Sequence, residues 1–210
     1  ATAARALGRY GPVSAEVRDK VFSAANALGY RPNELARSMA TGRTGTIGVV
    51  VGDIENPFFS LAVRGITDVA RAAGFTVVVT NSGEHVEDER EAVRTLLAKR
   101  VDGMIVTPSR SQDIEHLKDV VRANVPIVLL DRAVPELEVD TVTANHHEAA
   151  VEATRFLLRS GRRKIAYVTA CKAPEGEVFR LSDIQTASVR ERVEGFLSAC
   201  RDANVPPADS

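Results

Sequence analysis

Residues 46–59, Thr-Ile-Gly-Val-Val-Val-Gly-Asp-Ile-Glu-Asn-Pro-Phe-Phe, decide the fold class of this 210-residue chain. A short run of apolar residues that ends at glycine and precedes Asn-Pro predicts a buried strand followed by a helix. Similar runs lie at residues 76–80, 104–107 and 127–130, and helical segments near 58–73, 87–99 and 111–123 alternate with them. Strand–helix–strand alternation at this spacing predicts an α/β fold with a doubly wound parallel sheet, buried on both faces.

The residues that follow each predicted strand are candidate binding residues, because ligands of such sheets bind beyond the carboxyl ends of the strands. They are Asp53, Asn56, Phe58 and Phe59, then Asn81 and Ser82, then Pro108 and Ser109, and finally Asp131 and Arg132. Aromatic rings beside carboxylates, amides and hydroxyls are typical of a polyol or nucleobase site. Two simpler interpretations remain open: Phe58 starts the buried face of its helix, and Asp131 caps a turn.

A second lobe is expected after a strand at residues 139–143. Its predicted elements are a helix at 146–160, a strand at 164–169 and a helix at 188–203, and the segment 170–187 is expected to be a lid over the cleft or a mobile loop. Two helices and one or two strands cannot bury a two-sided parallel sheet. The second lobe is therefore expected to be incomplete, and the polypeptide to be part of a longer chain.

Helices are also predicted upstream of the sheet. Residues 2–7 predict the end of one helix, with Ala3 and Leu7 on its inner side, and Ser14 is the expected cap of another that reaches Leu28 on its inner face. Gly29 and Pro32 are expected to end this helix.

Asn33 is the expected cap of a short helix at residues 34–40, which ends before the Thr41-Gly42 linker. A helix of two turns is well below the roughly 12 residues at which isolated helices become marginal in water, so it needs an external partner. Two copies could pack along Ala36 and Ala40 and insert an apolar wedge into DNA. The simpler alternative is a linker helix that packs Leu35 and Met39 on its own domain.

The charge is distributed unevenly along the chain. Residues 1–43 contain 7 Lys and Arg against 3 Asp and Glu, whereas the whole chain has a formal net charge of −1. A surface that binds a polyanion is therefore expected at the amino end.

Seven motifs follow one another in a fixed order. They are Val13-Ser14-Ala15-Glu16-Val17-Arg18, Leu28-Gly29-Tyr30-Arg31-Pro32-Asn33, Leu35-Ala36-Arg37-Ser38, Thr46-Ile47-Gly48-Val49-Val50-Val51, Asp53-Ile54-Glu55-Asn56-Pro57-Phe58-Phe59, Val101-Asp102-Gly103-Met104-Ile105 and Arg190-Glu191-Arg192-Val193-Glu194-Gly195-Phe196. In this order the chain resembles the LacI-type bacterial transcription repressors from its first residue to its last. The resemblance implies a headpiece that reads an operator in the major groove, a hinge helix in the minor groove, and an effector-binding core akin to periplasmic sugar-binding proteins.

The resemblance also implies a division of the chain and a set of site residues. A partial helix-turn-helix headpiece would span residues 1–29, a hinge helix and linker 30–46, the first lobe 47–144, and the start of the second lobe 145–210. The expected DNA-contacting residues are Thr2, Arg5, Tyr30, Asn33, Leu35, Ala36 and Met39, and the expected effector-binding residues are Phe58, Phe59, Ser109, Asp131 and Arg190. Arg190 is the strongest effector candidate, because a charged fork in an inter-lobe cleft is hard to explain without a ligand.

Three classes of function are weighed. The leading hypothesis is a ligand-responsive regulator, a repressor, which binds a palindromic operator as a dimer or higher oligomer and senses a sugar or similar metabolite between two lobes. The alternative is a solute-binding protein without a DNA-binding role, which accounts for the core but not for residues 1–43. An enzyme on the same architecture would need a proton-transfer pair or a nucleophile in the cleft, and the sequence offers no convincing set.

Other kinds of site are not predicted. The glycines near the first strand lack the spacing of a phosphate loop, His146 and His147 are adjacent rather than helically spaced, and Cys171 and Cys200 form no ligand motif. No cofactor or metal site is therefore expected. Two cysteines without a disulfide framework, and no apolar segment of membrane-spanning length, predict a soluble cytoplasmic protein without a membrane partner.

Overall fold

The computed structural model describes residues 2–8, 12–30, 38, 41–169 and 180–206. Two helices precede the sheet, α1 (Thr2–Gly8) and α2 (Ala15–Ala27), and they lie against each other. Ser14 caps α2 as predicted, because its hydroxyl accepts the Val17 N–H at 3.4 Å. The expected hinge helix at 34–40, with Asn33, Leu35, Ala36 and Met39, lies outside the described residues.

The inner faces of these two helices differ from the prediction. Ala6 is the buried residue of α1, whereas Ala3 is exposed and Leu7 is half-buried. In α2 the buried residue is Ala25, and Leu28 leaves 83% of its surface exposed. Two short helices bury little area against each other, so small side chains close to the contact are covered and larger ones at its margin are not.

Five parallel strands form one sheet, in agreement with the predicted fold class. They are β1 (Thr46–Val51), β2 (Thr76–Asn81), β3 (Gly103–Val106), β4 (Ile127–Leu130) and β5 (Asp140–Val142), in the spatial order β2-β1-β3-β4-β5. Val49 lies between Val79 of β2 and Ile105 of β3. The strand order reverses at β1, so the crevice beside the carboxyl end of β1 is the topological switch point at which such sheets bind ligands.

Five helices follow the strands or continue the chain beyond the sheet. They are α3 (Pro57–Ala72), α4 (Val86–Ala98), α5 (Glu115–Arg122), α6 (His146–Arg159) and α7 (Ala187–Asp202), and a 3-10 turn covers Leu181–Asp183. Helix α5 begins four residues later than predicted. The backbone N–H and hydroxyl of Ser111 both donate to the Gln185 carbonyl, which keeps this part of the loop out of the helix.

The two faces of the sheet are covered by different helices. Helices α4 and α5 bury residues such as Leu96 and Leu117 on one face, and α3 buries Phe59 on the other. Burial on both faces holds for the interior strand β1, in which Val49, Val50 and Val51 are fully buried. It does not hold for β5, whose three residues are all exposed.

Helices α2 to α7 end in the same way. The second residue after each cap donates its N–H back to the last turn, as Phe75 does to the Ala70 carbonyl and Val205 to the Cys200 carbonyl. The residue between the cap and this donor has a positive φ of 51–82° in every case. From α2 to α7 it is Gly29, Gly74, Arg100, Asn124, Gly161 and Asn204. Glycine and asparagine mark five of these six helix ends because they adopt a positive φ more easily than other residues. The end of α4, at Arg100, is the one that neither residue marks.

Helices α6 and α7 pack together as a second unit beside the sheet. Ile165, Phe196 and Cys200 form its buried cluster, and the Tyr167 ring lies 5.5 Å from the Phe196 ring. Burial raises the pKa of the Cys200 thiol. The strand predicted at 164–169 is wrong, because these residues pair with none of the five strands and instead pack Ile165 and Tyr167 beside α7. Among the described residues, none of the helices is both long and apolar enough to span a membrane.

Substitution of Gly195 tests the contact between α6 and α7. A Cβ atom at this position would lie 2.4 Å from the His147 carbonyl oxygen and 2.9 Å from the Ala150 Cβ. We expect Gly195→Ala to lower the free energy of unfolding by about 1–3 kcal/mol in urea denaturation, because the helices must move apart. The matched control is Gly65→Ala in α3, where no atom lies within 4 Å. That change should instead stabilise the helix by roughly 0.5–1 kcal/mol, and equal effects of both substitutions would contradict the packing.

Candidate functional site

The carboxyl ends of β1 to β4 meet at one edge of the sheet, termed the carboxyl edge, formed by residues 52–56, 81–84, 107–110 and 131–132. Three of the predicted polar residues hold its first loop. The Asp53 carboxylate accepts the Glu55 N–H at 2.9 Å, Asn56 caps α3 by accepting the Phe58 N–H at 3.0 Å, and Asn81 accepts the Ile54 N–H at 3.0 Å. Asp53, Asn56 and Asn81 therefore shape the β1–α3 loop.

A paired carboxylate and guanidinium bridge the carboxyl edge. Glu84 accepts two hydrogen bonds from Arg132, at 2.5 and 2.8 Å, and Arg132 also donates to the Pro108 carbonyl at 3.0 Å. The guanidinium carbon lies 5.9 Å from the centre of the Phe59 ring, within cation–π range. This two-pronged geometry fixes the direction of both side chains. The Arg132 guanidinium therefore has three protein partners: Glu84, the Pro108 carbonyl and the Phe59 ring.

Asp131 is a buried carboxylate between the sheet and the second unit. It is 5% exposed and adopts a positive φ of 68°, an uncommon conformation for a residue with a side chain. One carboxylate oxygen lies 3.1 Å from His146 Nε2, and the other accepts the Ser188 hydroxyl at 3.2 Å. His146 begins α6 and Ser188 lies in the first turn of α7. Asp131 thus joins the first lobe to both helices of the second unit, which is a larger role than capping a turn.

The His146 ring also makes a hydrogen bond with Arg192. Arg192 Nε donates to His146 Nδ1 at 3.3 Å, so Nδ1 acts as an acceptor and the ring proton belongs on Nε2, facing Asp131. One neutral tautomer therefore satisfies both contacts. The Nη atoms of Arg192 have no hydrogen-bond partner among the described residues, and the residue is exposed. Arg192 consequently presents donors beside the Asp131 cluster.

A second buried carboxylate, that of Glu89, holds the β3–α5 loop at the carboxyl edge. Glu89 in α4 is 1% exposed, accepts the Ser109 N–H at 2.6 Å and lies 2.6 Å from His116 Nε2. The neighbouring Arg90 pairs with Asp113, and this hydrogen bond raises the pKa of the Arg90 guanidinium. Both contacts tie α4 to the β3–α5 loop. Glu89 thereby fixes the loop whose Pro108 carbonyl receives Arg132.

The two phenylalanines at the start of α3 have different environments. Phe59 is 2% exposed and packs on the sheet, whereas Phe58 is 45% exposed and meets the Phe59 ring edge-on at 5.2 Å. The interpretation that Phe58 starts the buried face of the helix is therefore wrong, because the helical turn directs Phe59 to the sheet instead. Phe58 is the ring that a ligand at this edge can reach.

A family model matches most of the chain. The model, described as periplasmic binding proteins and sugar binding domain of LacI family, matches residues 44–209. The chain belongs to the LacI family.

Individual LacI-family relatives align over nearly the whole chain. The ribose operon repressor of Halalkalibacterium halodurans is 35% identical over 98% of the chain and 57% of its own length. Catabolite control protein A of Priestia megaterium is 29% identical over 100% of the chain and 60% of its own length. A crystal structure of the lac repressor dimer bound to operator and an anti-inducer superposes with a TM-score of 0.78 and 26% identity, over 98% of the chain and 59% of that structure. The relatives are transcriptional regulators and not enzymes, and the chain spans less than two thirds of their length.

The structure brings some of the predicted effector residues of this LacI-family chain together. Phe59 and Asp131 both contact Arg132, and Ser109 lies in the same edge, with its hydroxyl 3.5 Å from that of Ser82. Arg190 is half-buried and makes no side-chain hydrogen bond or ion pair within the described part of the chain. The residues that sequence reasoning missed are Glu84, Glu89, His146, Ser188 and Arg192. Of these, only Arg192 carried a signal, because it lies in the same motif as Arg190.

The predicted DNA-contacting residues are only partly described. Thr2 and Arg5 lie on the exposed surface of α1, and Tyr30, just after α2, is also exposed. Asn33, Leu35, Ala36 and Met39 lie outside the described residues. Exposure is what a nucleic-acid contact requires, and it does not by itself assign one.

Removal of Glu89 tests its support of the carboxyl edge. We expect Glu89→Ala to lower the free energy of unfolding by about 3–5 kcal/mol, because the Ser109 N–H and the His116 ring are left buried without their partner. Urea denaturation followed by circular dichroism measures this change. Glu91→Ala removes an exposed carboxylate from the same helix and should change stability by less than about 0.5 kcal/mol. Equal stabilities of the two variants would reject the supporting role.

Proposed function

We propose that the protein is a ligand-responsive, DNA-binding transcriptional regulator that acts as a repressor. The observation that carries this proposal is the alignment over 98% of the chain, amino-terminal helices included, with a lac repressor described as a dimer bound to operator. The names of the relatives support the same class of function, since they include a ribose operon repressor. A DNA-binding role would place the protein in the cytoplasm and, when bound, on the nucleoid.

The proposed organisation assigns different roles to different parts of the chain. Residues 1–29 would belong to a helix-turn-helix headpiece, 30–46 to a hinge helix and linker, 47–144 to the first effector-binding lobe and 145–210 to the start of the second. The positive charge of residues 1–43 supports the first assignment, because phosphate binding needs Lys and Arg. A palindromic operator would be read by a homodimer, in which two headpieces bind two half-sites.

The proposed effector is a sugar or a similar polar metabolite at the carboxyl edge. Phe58 offers an exposed ring for the apolar face of a sugar, and Asp131 offers carboxylate oxygens for hydroxyl groups. Arg190 remains a proposed contact, and Arg192 joins it because its free donors lie beside His146. Arg132 is held by Glu84 and is therefore not available to a ligand, whereas Arg190 and Arg192 keep donors without partners among the described residues.

The proposed DNA contacts begin with α1. Thr2 and Arg5 would face the major groove, with Arg5 as a bidentate partner of guanine. Tyr30 and Asn33 would flank the groove. Leu35, Ala36 and Met39 would belong to a hinge helix that forms when two copies meet in the minor groove, with Met39 as the inserted wedge.

Operator selection tests the DNA-binding function. The full-length protein should enrich one palindromic sequence from a random pool of double-stranded DNA. Arg5→Ala should then weaken binding of that sequence by about 1–3 kcal/mol and binding of random DNA much less, because it removes a base contact. Arg71→Ala, at the exposed end of α3, is the control and should bind both DNAs as the unsubstituted protein does. Failure to enrich any sequence would refute the function, and an equal loss on both DNAs would reduce Arg5 to a phosphate contact.

Ligand screening tests the effector site. Thermal unfolding of the full-length protein with pentoses, hexoses, their phosphate esters and nucleobases should identify a compound that stabilises the fold, by roughly 2.7 kcal/mol at 100 times its Kd. Calorimetry should then give at least about tenfold weaker binding for Phe58→Ala and Arg192→Ala, since each loses a direct contact. Leu61→Ala, one turn further along α3 and exposed, is the matched control. Comparison of Arg190→Ala with Arg192→Ala identifies which arginine binds, and unchanged affinity in both would remove them from the site.

A further inference from the structure

The amino edge of the sheet carries a charged contact that the effector site does not use. Asp102 lies in the turn before β3, beside the segment that leads into β1. Its Oδ1 accepts the Thr44 N–H at 2.8 Å, and its Oδ2 accepts the Gly45 N–H at 2.9 Å. One carboxylate therefore holds two successive backbone amides of the linker.

Further hydrogen bonds make this contact rigid. The Thr44 hydroxyl lies 3.2 Å from Asp102 Oδ1 and donates to the Arg100 carbonyl at 3.0 Å. The Asp102 N–H donates to the Thr46 carbonyl, and the Thr76 N–H donates to the Gly45 carbonyl, each at 2.8 Å. The linker therefore makes hydrogen bonds both with the turn before β3 and with the first residue of β2. Hydrogen bonds from amides to a carboxylate are stronger than those to a neutral acceptor.

The backbone changes direction at the same place. Gly42 and Gly45 both have positive φ angles, of 68° and 67°, so the chain turns on each side of Arg43 and Thr44. Glycine tolerates this conformation in a folded chain but leaves the unfolded segment free to adopt many others. A linker with two such glycines has a defined direction only where something outside it fixes the backbone. Asp102 supplies that fixed point.

We propose that Asp102 is the positioning residue that anchors the linker to the first lobe, so that the orientation of this lobe is passed to the amino-terminal helices. The DNA-binding part of this proposal rests on the proposed function above. Without the carboxylate, Thr44 and Gly45 keep their place in the sequence but lose their shared acceptor. The amino-terminal helices are then tethered to the lobe without being oriented by it.

Limited proteolysis tests the anchor without any DNA. Trypsin cleaves after Arg43, at the peptide bond whose nitrogen donates to Asp102. In the full-length protein, Asp102→Ala should raise the rate of this cleavage, followed by mass spectrometry, at least about tenfold, because local opening no longer breaks charge-assisted hydrogen bonds. Asp102→Asn keeps one acceptor oxygen and should give an intermediate rate. The control is Asp140→Ala, which removes an exposed carboxylate from β5 and should leave the rate unchanged.

DNA binding tests the positioning role. With the sequence selected by the unsubstituted protein as the probe, Asp102→Ala should bind at least about tenfold more weakly, since the bound orientation is no longer preformed. Its urea midpoint and its binding of random DNA should stay close to those of Asp140→Ala. An unchanged cleavage rate would overturn the anchor, and a released linker with full DNA affinity would overturn its positioning role. If the unsubstituted protein selects no DNA, the proposed function fails, while the cleavage rates still establish or reject the anchor.

Discussion

The parallel direction of all five strands is the constraint on which the rest of the structure depends. Parallel strands place every carboxyl end at one edge of the sheet and every amino end at the other. The residues around Asp131 and Arg132 are thereby collected at the first edge, and the contact between Asp102 and the linker at the second. Strand β1, with six residues, separates the two edges by about 20 Å. The core residues of β1 are fully buried, so the strand between the two edges is held in a close-packed interior that resists local deformation.

The buried charged side chains at the carboxyl edge, Glu89, Asp131 and Arg132, all have partners. Buried charges without partners are costly, and here Glu84 and Asp131 lie on either side of Arg132, while His146 separates Asp131 from Arg192. Glu84 and Asp131 also share the left-handed backbone conformation, which is sparsely populated for residues with side chains. A hydroxyl that binds Asp131 competes with His146 and Ser188, which belong to the second unit. The proposed effector and the two helices of the second unit would therefore use the same two oxygens of Asp131.

The local features of this fold follow from the sequence, and the long-range pairs do not. Apolar runs predicted β1 to β4, and glycine or asparagine marked five of six helix ends, because strand burial and helix termination depend on a few neighbouring residues. Glu84 and Arg132 are 48 positions apart, and Glu89 and Ser109 are 20 apart, so their pairing depends on how the helices pack. The strand at 164–169 was wrong because an apolar run forms a strand only beside a partner. Arg190 and Arg192 differ by about 200° around α7, an angle that a motif does not reveal without the position of His146.

The two carboxylates at opposite edges differ in what they bind, and this difference sets what each can do. Asp102 binds backbone amides of the linker, which remain close to it as long as β1 and β3 stay paired. Asp131 binds the side chains of His146 and Ser188, which belong to helices α6 and α7 outside the sheet. Backbone partners close in the fold give a lasting contact, whereas the proposed effector would replace side-chain partners that come from other elements. The proposed regulator would need both kinds, because an exchangeable contact at one edge has an effect at the other only when the linker there is held firmly.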